Sequence, residues 1–455
     1  MTQLYVSRAL LADGWRSDVL ITIEGRTIST VAPDVPSPAN ALRMAGIAVP
    51  GLPNVHSHAF QRAMAGLTER RGPEGDSFWT WREVMYRFLA RMTPDDIEDV
   101  AALAYVEMLE AGFTTVGEFH YLHNSANGSQ YADPAETAGR IVAAAADSGI
   151  GLTLLPCLYA HGGCGGKPAK PGQVRFLSDL DGFVAIVEGG RRHLRSLEGG
   201  RLGIAPHSLR AVDAGELKDL VRTFPSGPVH IHAAEQMLEV EECVAWSGAR
   251  PVEWLLDHMQ VDPRWCLIHC THMTPDETRR LASSGAVAGL CPVTESNLGD
   301  GTFSGVEYEQ AGGRFAIGTD SNIRIAINEE LRTLEYSQRL RHQRRNRLGV
   351  AGASTGRGLF EAVRAGGARA LALDPVSTGL APGQAADIVV LDDTHPALVG
   401  RTDDAVLDAW IFAAGHVVRD VFAGGRHVVM DGRHVRTSDI RGRYAKAVNR
   451  LMQGG

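Results

Sequence analysis

The sequence predicts an α/β protein, a parallel (β/α)8 barrel of the TIM type with a small composite β-sandwich domain built from both chain ends. Two observations carry this. Eight apolar runs alternate with segments of helical apolar spacing along the middle of the chain, while both ends hold short alternating runs broken by turn residues. Many of the 51 glycines fall between the runs, where they punctuate turns. An open doubly wound sheet would want a Gly-rich phosphate turn after its first strand, and Pro53-Asn54-Val55-His56 is not one.

Taken in order, residues 3–32 carry short runs with turns at Asp13-Gly14 and at Glu24-Gly25-Arg26, the first half of the small domain. Candidate barrel strands follow at 47–58, 113–121, 150–159, 201–207, 228–233, 265–272, 286–292 and 314–320. Helical spacing falls between them, at 95–111 behind Thr93-Pro94, then at 134–148, 214–223, 251–258 and 275–283. Residues 386–436, with turns at Gly424-Gly425 and Asp431-Gly432, complete the small domain, because barrel termini close on each other. The expected division is 1–48 and 379–455 for the two parts of the small domain and 49–378 for the barrel.

The charge balance narrows the partners. With 45 Lys+Arg against 53 Asp+Glu, a net charge of −8, the 455-residue chain is disfavoured as a general binder of nucleic acid or anionic membrane. The richest apolar stretch, 141–160, is broken by Asp147, Ser148 and Pro156, so no membrane span is expected. Asp13 and Arg16 interrupt the apolar Ala9–Ala12 too soon for a leader, which places the expected location in the cytoplasm. Six cysteines without a C-x-x-C pair predict reduced, packed thiols. The Arg-rich segment 339–347 continues a helical pattern from Glu329 and reads as a solvated or subunit-facing helix.

Metal-ligand chemistry stands at four strand ends. His56 and His58 are two apart in a strand, point to one side, and can share one ion. His230-Ile231-His232 ends the fifth run, His269 the sixth, and Asp320 the eighth. In a barrel such C-terminal strand ends converge on one mouth. Imidazoles with a carboxylate suit one divalent metal, zinc first and iron as the alternative. Glu235 follows His232 by three residues and can lean over the metal, so His232 is taken as the ligand and His230 as a packing residue. On spacing alone His269 is equally a fourth nitrogen ligand.

Pro50-Gly51-Leu52-Pro53-Asn54-Val55-His56-Ser57-His58, His232-Ala233-Ala234-Glu235, His269 and Gly318-Thr319-Asp320 together resemble the amidohydrolase superfamily over essentially the whole chain. His207 stands where a metal-binding Lys would end the fourth strand, which resembles the mononuclear deaminase branch. The flanking motifs His58-Ala59-Phe60-Gln61-Arg62, Trp79-Thr80-Trp81-Arg82, His207-Ser208-Leu209-Arg210, Gln236 after Glu235, and 291–298 closely resemble the formimidoylglutamate deiminases of bacterial histidine degradation. The resemblance implies that water attacks the formimino carbon of N-formimino-L-glutamate, giving N-formyl-L-glutamate and ammonia. It implies the metal set His56, His58, His232 and Asp320, a homodimer, and His269 as a residue that orients water without ligating.

Residue chemistry is compatible with that reaction. A divalent ion brings the pKa of a water it holds toward neutrality, and C=N hydrolysis further needs a base for the water proton and an acid for the leaving nitrogen. Asp320 can take the first proton, and Glu235 can carry one to nitrogen. A dianionic substrate calls for guanidinium forks or hydroxyl donors at the mouth. Arg82 in the long loop after the first strand, Arg210 past the fourth, Tyr121, Gln61 and His207 are the expected substrate contacts. Trp79 and Trp81 read as a packed lid, and the loop 161–175 as either a mobile cover or an ordinary surface loop. A deaminase of purines or other heterocyclic amines is the alternative, although a ring would prefer stacking and amide contacts to two arginines. A non-catalytic barrel is a poor fit, since every metal position is filled.

Overall fold

Segments from the two chain ends meet in one sheet. In the computed structural model, residues 1–71, 77–373 and 379–453 are described. The N-terminal strands are β1 (Thr2–Leu11), β2 (Gly14–Glu24), β3 (Thr27–Ala32) and β4 (Leu42–Pro50). The barrel strands are β5 (Leu52–Ser57), β6 (Phe113–His120), β7 (Gly151–Leu158), β8 (Arg201–Leu202), β9 (Ala205–Pro206), β10 (Val229–Ala233), β11 (Trp265–His269), β12 (Val287–Leu290) and β13 (Arg314–Ile317). Near the C-terminus follow β14 (Ile388–Leu391), β15 (Val418–Ala423), β16 (Arg426–Met430) and β17 (Arg433–His434).

The terminal strands form one eight-stranded sheet in the order β17-β16-β15-β14-β4-β1-β2-β3, so the expected composite domain joins at the antiparallel β4–β14 pair. Period-two alternation serves two cores at once. Ala48, Ile388 and Val390 face a core internal to the sheet with Leu4, Val6, Ile21 and Phe422. Ile47, Val49, Val389 and Leu391 face the barrel helices.

The barrel closes in two parallel arcs, β5-β6-β7-β8 with β9 on β7, and β10-β11-β12-β13. Bridges Ile204–Val229 and Ser208–His232 join the arcs on one side, and Ser57–Asp320 joins them on the other. The expected helices are present at Pro94–Ala111, Glu136–Ser148, Ala214–Thr223, Pro251–His258 and Pro275–Ser284. Residues 366–373, at and beyond the end of helix Thr355–Ala370, cross the N-terminal end of the barrel, where Gly366 and Gly367 approach Phe315 and Pro53.

Several strand limits differ from expectation. The run 47–58 is two strands, because at Gly51 the chain leaves the terminal sheet, donating its N–H to the Asp387 carbonyl at 3.0 Å, and enters the barrel. A Cβ there would sit 2.3 Å from the Thr114 side chain, so glycine permits the crossing. The fourth strand is interrupted into β8 and β9 opposite Pro156 of β7, a residue with no N–H to give to the ladder. The sixth ends at His269 and not at 272, since His269 and Cys270 turn left-handed with φ of 71° and 53°. The expected barrel limit at 378 and the residues 454 and 455 lie outside the described residues.

Candidate active site

At the C-terminal mouth, four ligand atoms converge. His56, near the end of β5, and His58, just past it, share one face, His232 comes from β10, and Asp320 follows β13. All four are buried, and their ligand atoms lie within 4.8 Å of one another. The close pairs are His56 Nε2 to His232 Nε2 at 3.2 Å and Asp320 Oδ1 to His56 Nε2 and His58 Nε2 at 3.3 and 3.4 Å. These match the edge of about 3.3 Å for a tetrahedron with bonds of about 2.0–2.1 Å. Tautomers agree. His58 Nδ1 donates to the Phe119 carbonyl at 2.8 Å and His232 Nδ1 to the His207 carbonyl at 2.9 Å, so both Nε2 lone pairs face the centre. His230 is turned to another use, donating Nε2–H to the Ala370 carbonyl at 2.8 Å.

Electrostatics favour the ligand-ready forms. Burial, with the neighbouring His58, pushes the His56 imidazole down to about 3, and burial keeps His58 and His232 below their ordinary value, so the rings are neutral. Burial alone would raise Asp320, but hydrogen bonding to His56 and the adjacent imidazoles hold its carboxyl below the usual carboxylate range.

A buried amide and hydroxyl network aims these ligands. Asn54 Nδ2 donates to Thr319 Oγ1 at 2.7 Å, Thr319 Oγ1 to Asn322 Oδ1 at 2.6 Å, and Asn322 Nδ2 to Ser57 Oγ at 3.1 Å. Asn54 Oδ1 in turn accepts from the backbone of His56 at 3.3 Å and of Thr319 at 3.1 Å. A Cβ on Gly318 would lie 2.7 Å from that of His56, so only glycine lets the last strand approach the first so closely. Asp320 itself sits at φ 45°, a left-handed position that the surrounding bonds stabilise.

Beside the cluster stand Glu235 and His269. Glu235 Oε1 lies 3.7 Å from His269 Nε2, and His269 Nε2 lies 4.0 Å from Asp320 Oδ2. His269 Nδ1 faces Glu295 Oε1 at 3.2 Å, and Glu295 also accepts the Cys291 N–H at 2.8 Å. His269 is therefore turned toward Glu235 and Glu295 and stands outside the four-atom cluster. Burial raises Glu235 to about 7, against the pull of His269 and Arg210. Burial works against charge on His269, but Glu235, Glu295 and Asp320 outweigh it and raise the ring to about 10.

A cavity opens over these groups, lined by Gln61, Arg82, Tyr121, His207 and Arg210 as well as by Glu235, His269 and Asp320. Arg82 is not on an irregular loop but on helix Phe78–Leu89, begun by a Ser77–Thr80 capping box. Its guanidinium carbon lies 4.5 Å from the Trp79 ring centroid, and that of Arg210 lies 5.8 Å from Phe78 and 5.7 Å from Trp79. Trp81 lines the cavity. Gln61 Nε2 donates to Tyr121 Oη at 2.9 Å, while Gln61 Oε1, Arg82 Nε and Arg210 Nε are buried without a hydrogen-bond partner. Burial and Arg210 push His207 well down, so it is a neutral ring whose Nδ1 meets Ser208 Oγ at 3.0 Å.

The loop 161–175, which follows β7, is tied at several points. Gly162 N donates to Lys167 O at 2.7 Å, Gln173 Nε2 to Tyr159 Oη at 2.6 Å, and buried Arg175 to Asn124 O and Met92 O at 3.0 Å each.

The amidohydrolase family profile matches residues 47–428, from within β4 to within β16. The chain belongs to the amidohydrolase family. This amidohydrolase is 49% identical over 438 residues to formimidoylglutamate deiminase of Pseudomonas aeruginosa, covering 95% of this chain and 96% of that protein. It is 28% identical over 402 residues to 5-methylthioadenosine/S-adenosylhomocysteine deaminase of Natronomonas pharaonis, covering 86% of this chain and 83% of that one. A crystal structure of an amidohydrolase from Brucella melitensis superposes with a TM-score of 0.96 at 51% identity, covering 99% of this chain and 100% of its own. With its three imidazoles and one carboxylate suited to a single divalent ion, this amidohydrolase is a metal-dependent hydrolase acting on C–N bonds.

Proposed function

We propose that this amidohydrolase hydrolyses N-formimino-L-glutamate to N-formyl-L-glutamate and ammonia, a step of histidine degradation. The observation that carries the reading is the pair of guanidiniums, Arg82 and Arg210, which line the cavity beside one aromatic wall, each with a buried Nε–H that has no hydrogen-bond partner. Unspent donors of this geometry fit a ligand with two carboxylates. The 49% identical relative that bears the deiminase name supports the same substrate.

His56, His58, His232 and Asp320 would hold the ion, which when bound supplies the Lewis acidity that makes water a nucleophile near neutral pH. His269, anchored through Nδ1 to Glu295, orients that water beside Asp320, and Asp320 takes its first proton. Glu235, with a pKa raised to about 7, carries a proton to the departing nitrogen so that ammonia leaves the tetrahedral intermediate. Arg82, Arg210, Tyr121, His207 and Gln61 bind the carboxylates, and the aromatic wall shields their charges from water.

Ammonia release is the direct test. The metal-loaded enzyme should turn over N-formimino-L-glutamate with a kcat/KM at least a thousandfold above that for any member of a panel of purine and pyrimidine amines. Preference for a ring amine would sink the assignment.

A further inference from the structure

Arg210 is buried, and among the described residues Glu235 is the carboxylate within 4.0 Å of it, with Nη2 3.6 Å from Oε2. That separation is an ion pair, longer than the 2.7–3.2 Å of a good hydrogen bond. Glu235 thus stands between two groups, with Oε2 toward Arg210 and Oε1 toward His269. Its backbone is fixed by a bond from Glu235 N to Glu239 Oε2 at 2.9 Å, and the preceding Ala234 holds a left-handed φ of 54°. Only the side chain is therefore free to choose between the two neighbours. Arg210 comes from a separate turn, after β9, and its buried Nε has no partner. An incoming carboxylate can satisfy a guanidinium fork with two parallel bonds, which the distant Glu235 does not.

We infer that Arg210 is a specificity gate: without substrate it holds the Glu235 carboxylate, and the substrate's own carboxylate displaces Glu235 toward the reacting nitrogen. The inference rests on the proposed deiminase reading, because it needs a substrate that carries both an amidine and a carboxylate. Arg210 on this view is a positioning residue as well as a binding one. An amidine with no carboxylate fills the reaction centre while Glu235 remains paired, and its kcat is low for that reason rather than through weak binding alone.

A substrate supplied in two pieces separates the gate from simple affinity. In the metal-loaded wild type, saturating glutarate should raise the kcat for formamidine at least fivefold. In Arg210→Met, the kcat for formamidine without glutarate should already be raised, glutarate should no longer increase it, and kcat/KM for N-formimino-L-glutamate should fall at least a hundredfold. No response to glutarate in the wild type overturns the gate, as does a response that survives in Arg210→Met. Arg210→Gln, which keeps a polar side chain at the buried position, makes the same comparison should Arg210→Met fold poorly. Turnover of N-formimino-L-glutamate without the glutarate response rejects the gate alone. Absence of that turnover rejects the substrate assignment and the gate with it.

Discussion

Burial sets the protonation of single residues around this site, and its consequences extend to pH dependence. Glu118 on β6 is fully buried; desolvation pushes its carboxyl up to about 8, although the Ala59 N–H, 2.7 Å from Oε1, and the Ser57 side chain pull the other way. Below an unfolded value near 4.5 both states hold the proton and the residue is neutral to stability. Between that value and about 8 the unfolded chain loses its proton while the folded one keeps it, so stability falls as pH rises, and the loss is complete above about 8. A shift of this size corresponds to roughly 5 kcal/mol across the window. Glu118→Gln, which remains neutral, should flatten the decline of the denaturation midpoint between pH 5 and 8 by most of that amount. A slope equal to wild type would show that Glu118 is not protonated in the fold. The residue carries no sequence signature, because its character comes from the Ala59 turn packed against it and not from its neighbours in the chain.

At the scale of elements, the helix Phe78–Leu89 decides where Arg82 is held, and its start is capped by two hydroxyls. Ser77 Oγ accepts the Trp79 N–H at 3.3 Å, and Thr80 Oγ1 accepts the Ser77 N–H at 3.0 Å. Ser77→Ala should cost about 1 kcal/mol of local stability. The helix carries Arg82, a proposed substrate contact, and none of the proposed metal ligands, so the KM for N-formimino-L-glutamate should rise severalfold with kcat nearly unchanged. A drop in kcat at constant KM would place the helix in the chemistry instead. What was legible in the sequence follows from periodicity. His56 and His58 could be read as one ion's ligands because strand residues two apart share a face, and Asp320 because eight runs in series imply a closed wall. The crossing at Gly51 was hidden inside a continuous apolar run, since both the terminal sheet and the barrel demand buried residues there. The loop before Arg82 concealed a helix because its apolar spacing is short and its capping box uses Thr80 in place of the usual Glu or Gln. Asn54, Thr319 and Asn322 were beyond reach, as their bonds span more than 260 positions of chain.

Over the whole molecule, the proposed ligands tie the barrel across its own seam. His56 belongs to the first strand and His58 directly follows it, Asp320 follows the last, and the Ser57–Asp320 bridge is where the wall closes. The terminal sheet is no independent appendage, because alternate residues of β4 and β14 serve its own core and the barrel's. Helix Thr437–Gln453 adds ion pairs to the barrel side, Arg443 with Asp99 at 2.8 Å and with Asp147, and Arg450 with Asp96. The net charge of −8 gives the proposed dianionic substrate no long-range attraction, so on the proposed reading capture falls to Arg82 and Arg210, acting within a screening length of about 8 Å. An ion bound to the native state alone stabilises by RT ln(1 + [L]/Kd), about 4 kcal/mol at a thousandfold excess over Kd. If seam, barrel and sheet are one cooperative unit, removing the ion with a chelator lowers the whole calorimetric transition, by roughly 5 °C, without splitting it. Restoring zinc should return it to its original midpoint. A chelated protein that melts in two steps, with the upper step unmoved, would show instead that the terminal sheet holds without the barrel and that the shared faces of β4 and β14 do not couple them.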